Sequence, residues 1–351
     1  MTRILTYADA IRDAQRELLR SSDDVVLLGL GIPGPTGVFG TSLGLQEEFG
    51  VDRVLDIPAA ENGITGVTLG MAIMGMRPIL VHQRMDFAVL SLEPIVNQAA
   101  KWHYMYGGAA TAPLTIRMIV GRGWGQGPQH SQSLQAWFAH VPGLRVMMPA
   151  NAADAKGMLV AAVQGDAPTV IIEHRWLFDV LGEVPEGLYA SPIGQARVLR
   201  HGSDVTLVGT SFMVLECLAA ADRLLQVGVS AEVIDLASIS PMDDETVLES
   251  VGRTRRLLVA DTGHAEFGVG AEVVARVCTS IADELVANPE RVGPPFAPTP
   301  TTYALADLYY ASARDIVERV GRMCDANVEA IAWPELQAPL DVPSREFRGP
   351  Y

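Results

Sequence analysis

The chain is poor in cysteine and in lysine, and each shortage excludes a class of protein. Its three cysteines (Cys217, Cys278 and Cys324) lie far apart and form no CxxC pair, which argues against a disulfide framework and a zinc site. Lysine occurs at only two positions, so nearly all of the positive charge is arginine. With 26 basic against 41 acidic residues, the net charge is -15. This balance argues against a nucleic-acid partner, because binding to phosphates requires clustered lysine and arginine.

Long apolar runs are also missing. No stretch approaches the roughly 18 consecutive apolar residues that a membrane-spanning helix needs. Residues 1–20 are polar with helical spacing and lack the apolar segment of a secretory signal. We therefore expect a cytoplasmic protein that does not enter a membrane. What the chain does have is 351 residues, 49% of them hydrophobic, enough to build the cores of about two domains.

Strand and helix patterns alternate along the chain, which predicts an α/β fold built on a mostly parallel sheet. The alternation breaks at residues 182–192, where prolines, glycines and acids follow one another without periodicity, and then restarts. We therefore predict a first domain over residues 1–185, a second over 193–335, and an extended tail over 336–351.

Two glycine motifs match known signatures, but the residues around them do not form the structure that each signature requires. Residues 29–34 (GLGIPG) match the GxGxxG dinucleotide signature directly after a strand, yet two prolines prevent the helix that must begin there. Residues 40–44 (GTSLG) match the GxSxG nucleophile motif, but no strand precedes them. We expect a loop in the first case and, in the second, a cap supplied by Ser42 or Thr41 for the helix that follows.

The histidines form no metal-binding motif, and no glycine-rich segment ends in the Gly-Lys-Ser/Thr of a phosphate-binding loop. Six of the seven histidines are expected to be structural or exposed: His82, His103, His140, His174, His201 and His264.

Three segments combine polar side chains with predicted strand or loop ends. In residues 58–64 (PAAENGI), Glu61 stands at a strand-to-helix crossing. Residues 82–87 (HQRMDF) follow a strand, and residues 127–133 (GPQHSQS) follow a glycine-rich loop. Ligands bind at the carboxyl edge of parallel sheets, and loops there carry function more often than packing. The ordinary alternatives are a surface acid at a helix N-terminus for Glu61 and a structural histidine for His130.

Taken together, these segments resemble the beta subunit of thiamine-diphosphate-dependent 2-oxo acid dehydrogenases, in the transketolase-like superfamily. The resemblance covers roughly residues 5–322 and rests on DRVLDIPAAENGITG, IVNQAAKWHY, GPQHSQSLQAWFAHVPGL, AEVIDLASISPMDDET and FGVGAE, in that order. It implies a parallel-sheet pyrimidine-binding domain followed by a transketolase C-terminal α/β domain.

The resemblance implies roles for the residues that match the family's site. Glu61 corresponds to a glutamate that hydrogen-bonds a ring nitrogen of the cofactor's aminopyrimidine, and a carboxyl group in a dry pocket suits that role. Phe87 corresponds to an aromatic residue that stacks on the pyrimidine, and Ala59 is expected to contact the cofactor. His130 corresponds to the active-site histidine, which stabilises intermediates or handles protons near the reacting carbon. Glu61 and His130 are thus the predicted catalytic residues.

Two departures from the family fall in the predicted substrate pocket, which also includes Gln83 and Gln129. Leu30 stands where the family commonly has an acid, and Arg84 stands where dehydrogenase subunits usually have a neutral residue. Arg84 could bind a substrate carboxylate or phosphate through two parallel hydrogen bonds. The equal alternative is that Arg84 pairs with Asp86 or with an acid of a partner.

A missing motif implies a partner. The superfamily binds the diphosphate and Mg2+ through Gly-Asp-Gly with a downstream asparagine, and the nearest approach in this chain is Gly165-Asp166-Ala167. We therefore expect no metal site in this chain and an alpha subunit that holds most of the Mg2+ and diphosphate site. The expected assembly is an alpha-beta heterotetramer with cofactors at its interfaces. A monovalent cation is a further candidate, near Asp166 and the carbonyls around Ala161.

The resemblance leaves three functions open. In the leading one, the chain is the beta subunit of an enzyme that decarboxylates a 2-oxo acid and transfers the acyl unit to lipoamide, and it works with a separate alpha subunit. Its acidic surface could then dock the basic binding domain of a lipoyl acyltransferase core. The alternative is a split transketolase-like carboligase that adds the two-carbon or acyl unit to an aldehyde or sugar ketone, which Leu30 and Arg84 favour. The third is a non-catalytic partner subunit, against which the presence of Glu61, Phe87 and His130 argues.

Overall fold

Two compact units make up the chain in the computed structural model, which describes residues 1–123, 125–333 and 340. The first unit comprises Met1–Gly121 and Gln129–Ile193, and the second comprises the described residues of Arg122–Pro128 and those from Gly194 onward. In neither unit do the described residues include a helix that is long and apolar enough to cross a membrane.

A parallel sheet forms the centre of the first unit. The strands of this unit are β1 (Thr2–Thr6), β2 (Val25–Gly29), β3 (Val54–Asp56), β4 (Arg77–His82), β5 (Thr115–Val120), β6 (Arg145–Met147), β7 (Thr169–His174) and β8 (Leu181–Pro185). Six of them pair in parallel in the order β3-β2-β4-β5-β7-β6, while β1 and β8 form a separate antiparallel pair. Strands β2, β5 and β7 are buried along their whole length, as expected for strands of a covered parallel sheet.

Helices connect these strands. They are α1 (Tyr7–Ser21), α2 (Leu45–Phe49), α3 (Glu61–Ile73), α4 (Met85–Ala88), α5 (Ala100–Met105), α6 (Gln135–Ala139) and α7 (Ala152–Gln164). Thr6 caps α1 and Asn151 caps α7, each accepting a hydrogen bond from a backbone amide of the first turn. Between α4 and α5 the chain continues through a 3-10 turn (Val89–Ser91) and a π-helical segment (Glu93–Ala99).

The carboxyl ends of three neighbouring strands lie together at one edge of the sheet. Gly29, at the end of β2, pairs with Asp56 at the end of β3 and with Val81 next to the end of β4. The segments that follow these strands therefore begin side by side, with Leu30 after β2 and Gln83 after β4. This edge is where the sequence predicts a ligand site.

The second unit has its own sheet and core. Its strands are β9 (Arg197–Arg200), β10 (Val205–Gly209), β11 (Ala231–Asp235), β12 (Ser238–Ser240), β13 (Leu257–Ala260) and β14 (Glu290–Val292). Its helices are α8 (Met213–Leu225), α9 (Asp244–Thr254), α10 (Val269–Ile281), α11 (Ala306–Tyr309) and α12 (Ala313–Met323). Five strands pair in the order β14-β13-β10-β11-β9, all parallel except β9. A core of small and branched side chains packs α8 and α12 against this sheet.

The loop expected at residues 29–34 is confirmed, whereas the cap expected at Ser42 or Thr41 is wrong. After β2 the chain runs through turns until α2, so no helix begins behind the GxGxxG match. Helix α2 starts after Gly44 without a side-chain cap. The hydroxyl of Ser42 instead donates to the carbonyl of Ile32, 2.9 Å away, and folds the preceding loop.

One segment differs from what the sequence pattern predicts, and another lies largely outside the described residues. The proline- and glycine-containing stretch after residue 181 begins with strand β8. The antiparallel partner of β8 is β1, which is far from it in the sequence. Local composition does not reveal such long-range pairing. The tail predicted for residues 336–351 lies outside the described residues apart from position 340.

Candidate active site

Glu61 is the first residue of α3 and leads from the loop after β3 into the helix. The residue before it, Ala60, has no side chain that could cap the helix. Glu61 itself is the acidic residue of the first turn. The partial positive charge of a helix N-terminus stabilises a carboxylate there. The side chain is half-buried and, among the described residues, forms no hydrogen bond or ion pair. Its carboxyl group is therefore available to a ligand.

A small pocket lies beside Glu61. Its lining consists of Leu30, Ile57, Pro58, Glu61, Val81, His82, Gln83 and Phe87. It has a volume of about 20 Å³, scarcely more than one water molecule occupies. In this chain alone it is thus a small recess, far below the volume of a cofactor site. It brings together four residues that the sequence assigns to the cofactor and substrate sites.

Phe87 and His130, predicted from separate segments, are in contact. The half-buried ring of Phe87 meets the imidazole of His130 edge to face, with 5.4 Å between ring centroids and 85° between planes. A second contact joins the same segments, because the side chain of Gln132 donates to a carboxylate oxygen of Asp86 at 2.9 Å. The loop of His130 is therefore fixed on the segment that follows β4.

Leu30 and Gln83 are joined across two strand ends. The side-chain amide of Gln83 donates to the carbonyl of Leu30 at 2.5 Å, and the amide of Gly31 donates to the carboxylate of Asp56 at 2.7 Å. Gly31 has φ +73, and a Cβ there would lie 2.9 Å from the Gln83 amide nitrogen. Only glycine accommodates both features without strain. These bonds tie the loops after β2, β3 and β4 to one another.

Arg84 is buried, with 5% of its surface exposed. Its guanidinium donates to the carbonyl of Gln83 at 2.8 Å and lies over the ring of Phe39, 4.7 Å from the centroid. The residue does not line the recess beside Glu61. Substrate binding and pairing with an acid of a partner both stay predictions for Arg84, and its contact with Phe39 is a structural use of the side chain. The expected pairing with Asp86 is wrong: one carboxylate oxygen of Asp86 accepts from Gln132, and the other has no hydrogen-bond partner among the described residues.

Ala59 and Gln129 are both exposed, and neither lines the recess. Their contacts with cofactor or substrate stay predictions. Ser131, which flanks His130, is buried.

A buried ion pair supports the loop that carries Leu30. The guanidinium of Arg117 makes two hydrogen bonds to the carboxylate of Glu173, at 2.6 and 2.7 Å, with both side chains almost fully buried. It also donates to Gln15 at 2.8 Å and to the hydroxyl of Thr41 at 3.1 Å. Because Thr41 belongs to the loop after β2, this buried network fixes the position of that loop.

His82 is a residue of the recess that the sequence pattern assigns to structural histidines. It ends β4, is 5% exposed, and its Nε2 has no hydrogen-bond partner among the described residues. Burial lowers the pKa of His82 from 6.5 to about 4, so the imidazole is neutral at physiological pH. The sequence feature that could have marked His82 as a site residue is its position at the end of a predicted strand, directly before Gln83.

Around Asp166, the place of the imperfect Gly-Asp-Gly match, an arginine already contacts the polar groups. Arg77 donates to the carbonyls of Val163 and Gly165 at 3.0 and 2.6 Å, and to the carboxylate of Asp166 at 2.9 Å. A monovalent cation near these carbonyls stays a prediction. In the described part of the chain, no three His, Cys, Asp or Glu side chains come together as a metal site.

The two units match two known domain families. Residues 4–179 match the transketolase pyrimidine-binding domain, and residues 194–316 match the transketolase C-terminal domain. The chain therefore belongs to the transketolase-like family of thiamine-diphosphate-dependent enzymes, which confirms the predicted fold class and family.

Two relatives within that family are named as beta subunits. The beta subunit of acetoin:2,6-dichlorophenolindophenol oxidoreductase from Cupriavidus necator is 40% identical, covering 90% of this chain and 96% of the relative. The beta subunit of the pyruvate dehydrogenase E1 component from Rickettsia felis is 38% identical, covering 91% and 98%. A solved structure described as a split gene transketolase, inactive beta4 tetramer, superposes with a TM-score of 0.74 at 24% identity, covering 92% and 98%, and supports the fold alone.

Proposed function

We propose that this chain is the beta subunit of a thiamine-diphosphate-dependent enzyme that decarboxylates a 2-oxo acid and transfers the acyl unit to lipoamide, together with a separate alpha subunit. One observation carries the proposal: Glu61 and Phe87 line one recess at the carboxyl edge of the sheet, and Phe87 contacts His130. Relatives named as subunits of an acetoin oxidoreductase and of pyruvate dehydrogenase support it and do not favour the carboligase alternative.

The residues of the recess fit an aminopyrimidine ring. A flat heteroaromatic ring needs an aromatic face to stack on, which the half-buried Phe87 offers, and a group that shares a proton with a ring nitrogen. Glu61 offers a carboxyl group that no described residue engages. When bound, thiamine diphosphate supplies the nucleophilic carbon and the electron sink for decarboxylation.

The protein groups then have separate tasks. Glu61 places its carboxyl group at the N-terminus of α3, where it would hydrogen-bond the ring nitrogen and exchange a proton with it. His130 is oriented by its edge-to-face contact with Phe87 and exchanges protons through an imidazole nitrogen near the substrate carbonyl. The loops joined through Gln83 and Leu30 form the wall around the reacting groups.

An alpha subunit completes the site in this proposal. The recess is too small to enclose a cofactor, so a second surface must complete the site. Large apolar side chains of the first unit are exposed on α3 and on the segment that ends at α5: Val67, Met74, Leu90, Tyr104 and Met105. Contiguous exposed apolar patches are typical of subunit interfaces, and we place the alpha subunit on this part of the first unit. We assign the Gly-Asp-Gly motif, the diphosphate and most of the Mg2+ ligands to the alpha chain, with a lipoyl acyltransferase core as a further partner.

The direct experiment assembles this chain with its alpha subunit and assays 2-oxo acids and acetoin, with and without a lipoyl domain. Acylation of the lipoyl domain is the expected result. Acyloin products in the presence of aldehydes, with no acylation of the lipoyl domain, would instead establish the carboligase. Glu61→Ala separates a third outcome, since unchanged turnover in that variant would assign the chain a non-catalytic role.

A further inference from the structure

A buried imidazole in the recess has a nitrogen without a hydrogen-bond partner among the described residues. His82 lies at the carboxyl end of β4 and shares the recess with Glu61 and Phe87. It is 5% exposed, and Nε2 is fully buried without a hydrogen bond among the described residues. The neighbouring side-chain amide of Gln83 donates to the carbonyl of Leu30, and no hydrogen bond joins it to His82 Nε2 in the described residues.

Such a group is unfavourable unless something else binds it. A buried donor or acceptor that lacks a partner loses its hydration without compensation, so native proteins satisfy nearly all of them. The pKa of His82, lowered to about 4 by burial, keeps the imidazole uncharged. An uncharged imidazole has one donor and one acceptor, and its tautomer adapts to the group it meets. Its natural partner is therefore a neutral polar atom of a ligand in the recess.

We propose that His82 is a positioning residue of this site, whose Nε2 hydrogen-bonds the polar edge of the bound aminopyrimidine beside Glu61. This inference rests on the proposed function. The ring presents nitrogens that accept and an amino group that donates, so a neutral imidazole matches either. Phe87 holds the face of the ring, and His82 and Glu61 together fix its rotation within the plane.

The test uses the enzyme assembled with its alpha subunit and compares His82→Phe with His82→Gln. Phenylalanine keeps the aromatic volume without hydrogen bonding, whereas glutamine keeps a donor and an acceptor. His140→Phe is the matched control, because His140 is exposed at the end of α6. Calorimetry gives the Kd for thiamine diphosphate at saturating Mg2+, and thermal melting gives the Tm of each protein without cofactor.

We expect His82→Phe to weaken cofactor binding by about tenfold, the equivalent of one hydrogen bond. The Tm without cofactor should stay equal or rise, because the unpaired nitrogen is gone. His82→Gln should bind within about threefold of the wild type. A histidine that only packs would give the opposite pattern, a lowered Tm with an unchanged Kd.

An unchanged Kd in His82→Phe, with Glu61→Gln weakened, overturns the role of His82 and leaves the proposed function standing. Absence of cofactor binding by the wild-type assembly overturns both. If His82→Phe does not assemble, His82→Leu takes its place against His82→Gln, and equal affinities in that pair also overturn the inference.

Discussion

The imidazole of His130 lies edge-on to the ring of Phe87, with 5.4 Å between centroids, although 43 positions separate the two residues. Phe87 also lines the recess with Glu61. One aromatic ring therefore connects the residue proposed to bind the cofactor's pyrimidine with the residue proposed to act at the substrate. Displacing Phe87 should disturb both functions, whereas changes at His130 should disturb chemistry alone.

His130→Gln tests that separation in the assembled enzyme. We expect kcat to fall by about 10²- to 10⁴-fold, the usual contribution of a positioned acid or base, with the Kd for thiamine diphosphate changed less than about threefold. His140→Gln, an exposed histidine of the same unit, should leave kcat unchanged. Steady-state kinetics and calorimetry measure the two quantities. A large loss of cofactor affinity with little loss of kcat would assign His130 to binding instead.

Glu173→Ala removes the partner of a buried guanidinium. Arg117 is 0% and Glu173 is 1% exposed at the side chain, so the variant leaves an uncompensated buried charge, a loss of about 3–5 kcal/mol. The loop that carries Thr41 and Leu30 should loosen at the same time. Glu249→Ala is the control, since its carboxylate is 74% exposed beside Arg253 and should cost less than about 0.5 kcal/mol. Denaturant unfolding of the chain measures both, and equal losses would contradict the account.

His82 predicts a loss of stability on mild acidification. Its pKa is about 4 in the folded chain against an ordinary 6.5, so the unfolded chain binds more protons between these values. The stability that the neutral imidazole contributes is complete above the pKa of His82 in the unfolded chain. It is lost as the pH falls from there towards the pKa of His82 in the folded chain. Between about pH 7.5 and pH 5 the wild type should lose about 2 kcal/mol more than His82→Phe. The free energy of unfolding of both proteins at each pH measures this, and a difference that does not change with pH would refute it.

Arg77 makes a prediction about monovalent cations. Its guanidinium already donates to the carbonyls of Val163 and Gly165 and to Asp166. We therefore expect the Tm of the chain to be the same in potassium and sodium salts at equal ionic strength. Arg77→Met should lower the Tm by a few degrees, since about 1–2 kcal/mol of hydrogen bonding is lost. A Tm that rises with potassium in the wild type would establish a separate cation site.

The sequence pattern predicts the parallel sheets well where buried strands are continuous apolar runs, as in β2 and β13. It also places Glu61, Phe87 and His130 at strand or loop ends. It does not predict β8, whose partner β1 lies at the other end of the unit, or the role of the Ser42 hydroxyl in folding a loop. Both depend on long-range contacts that local periodicity does not contain.

The residues of the recess likewise fall into two groups: some are predicted from the sequence, and others are recognised only in the folded chain. The resemblance names Glu61 and Phe87, but His82 carries no motif and is recognised by burial and an unpaired nitrogen. Arg84 is a second example, because its burial over the ring of Phe39 is a contact that the sequence does not reveal. Which side chains a neighbouring loop covers is a property of the tertiary structure.

The central claim is that this chain holds the pyrimidine half of a site that an alpha subunit completes. The most direct measurement is a calorimetric titration of thiamine diphosphate with Mg2+ into the isolated chain and into the alpha-beta assembly. We predict that the assembly binds at least about 100-fold more tightly than the isolated chain, a difference of about 2.7 kcal/mol, and that Glu61→Gln weakens the assembly. Tight binding by the isolated chain, at the affinity of the assembly, would contradict the account.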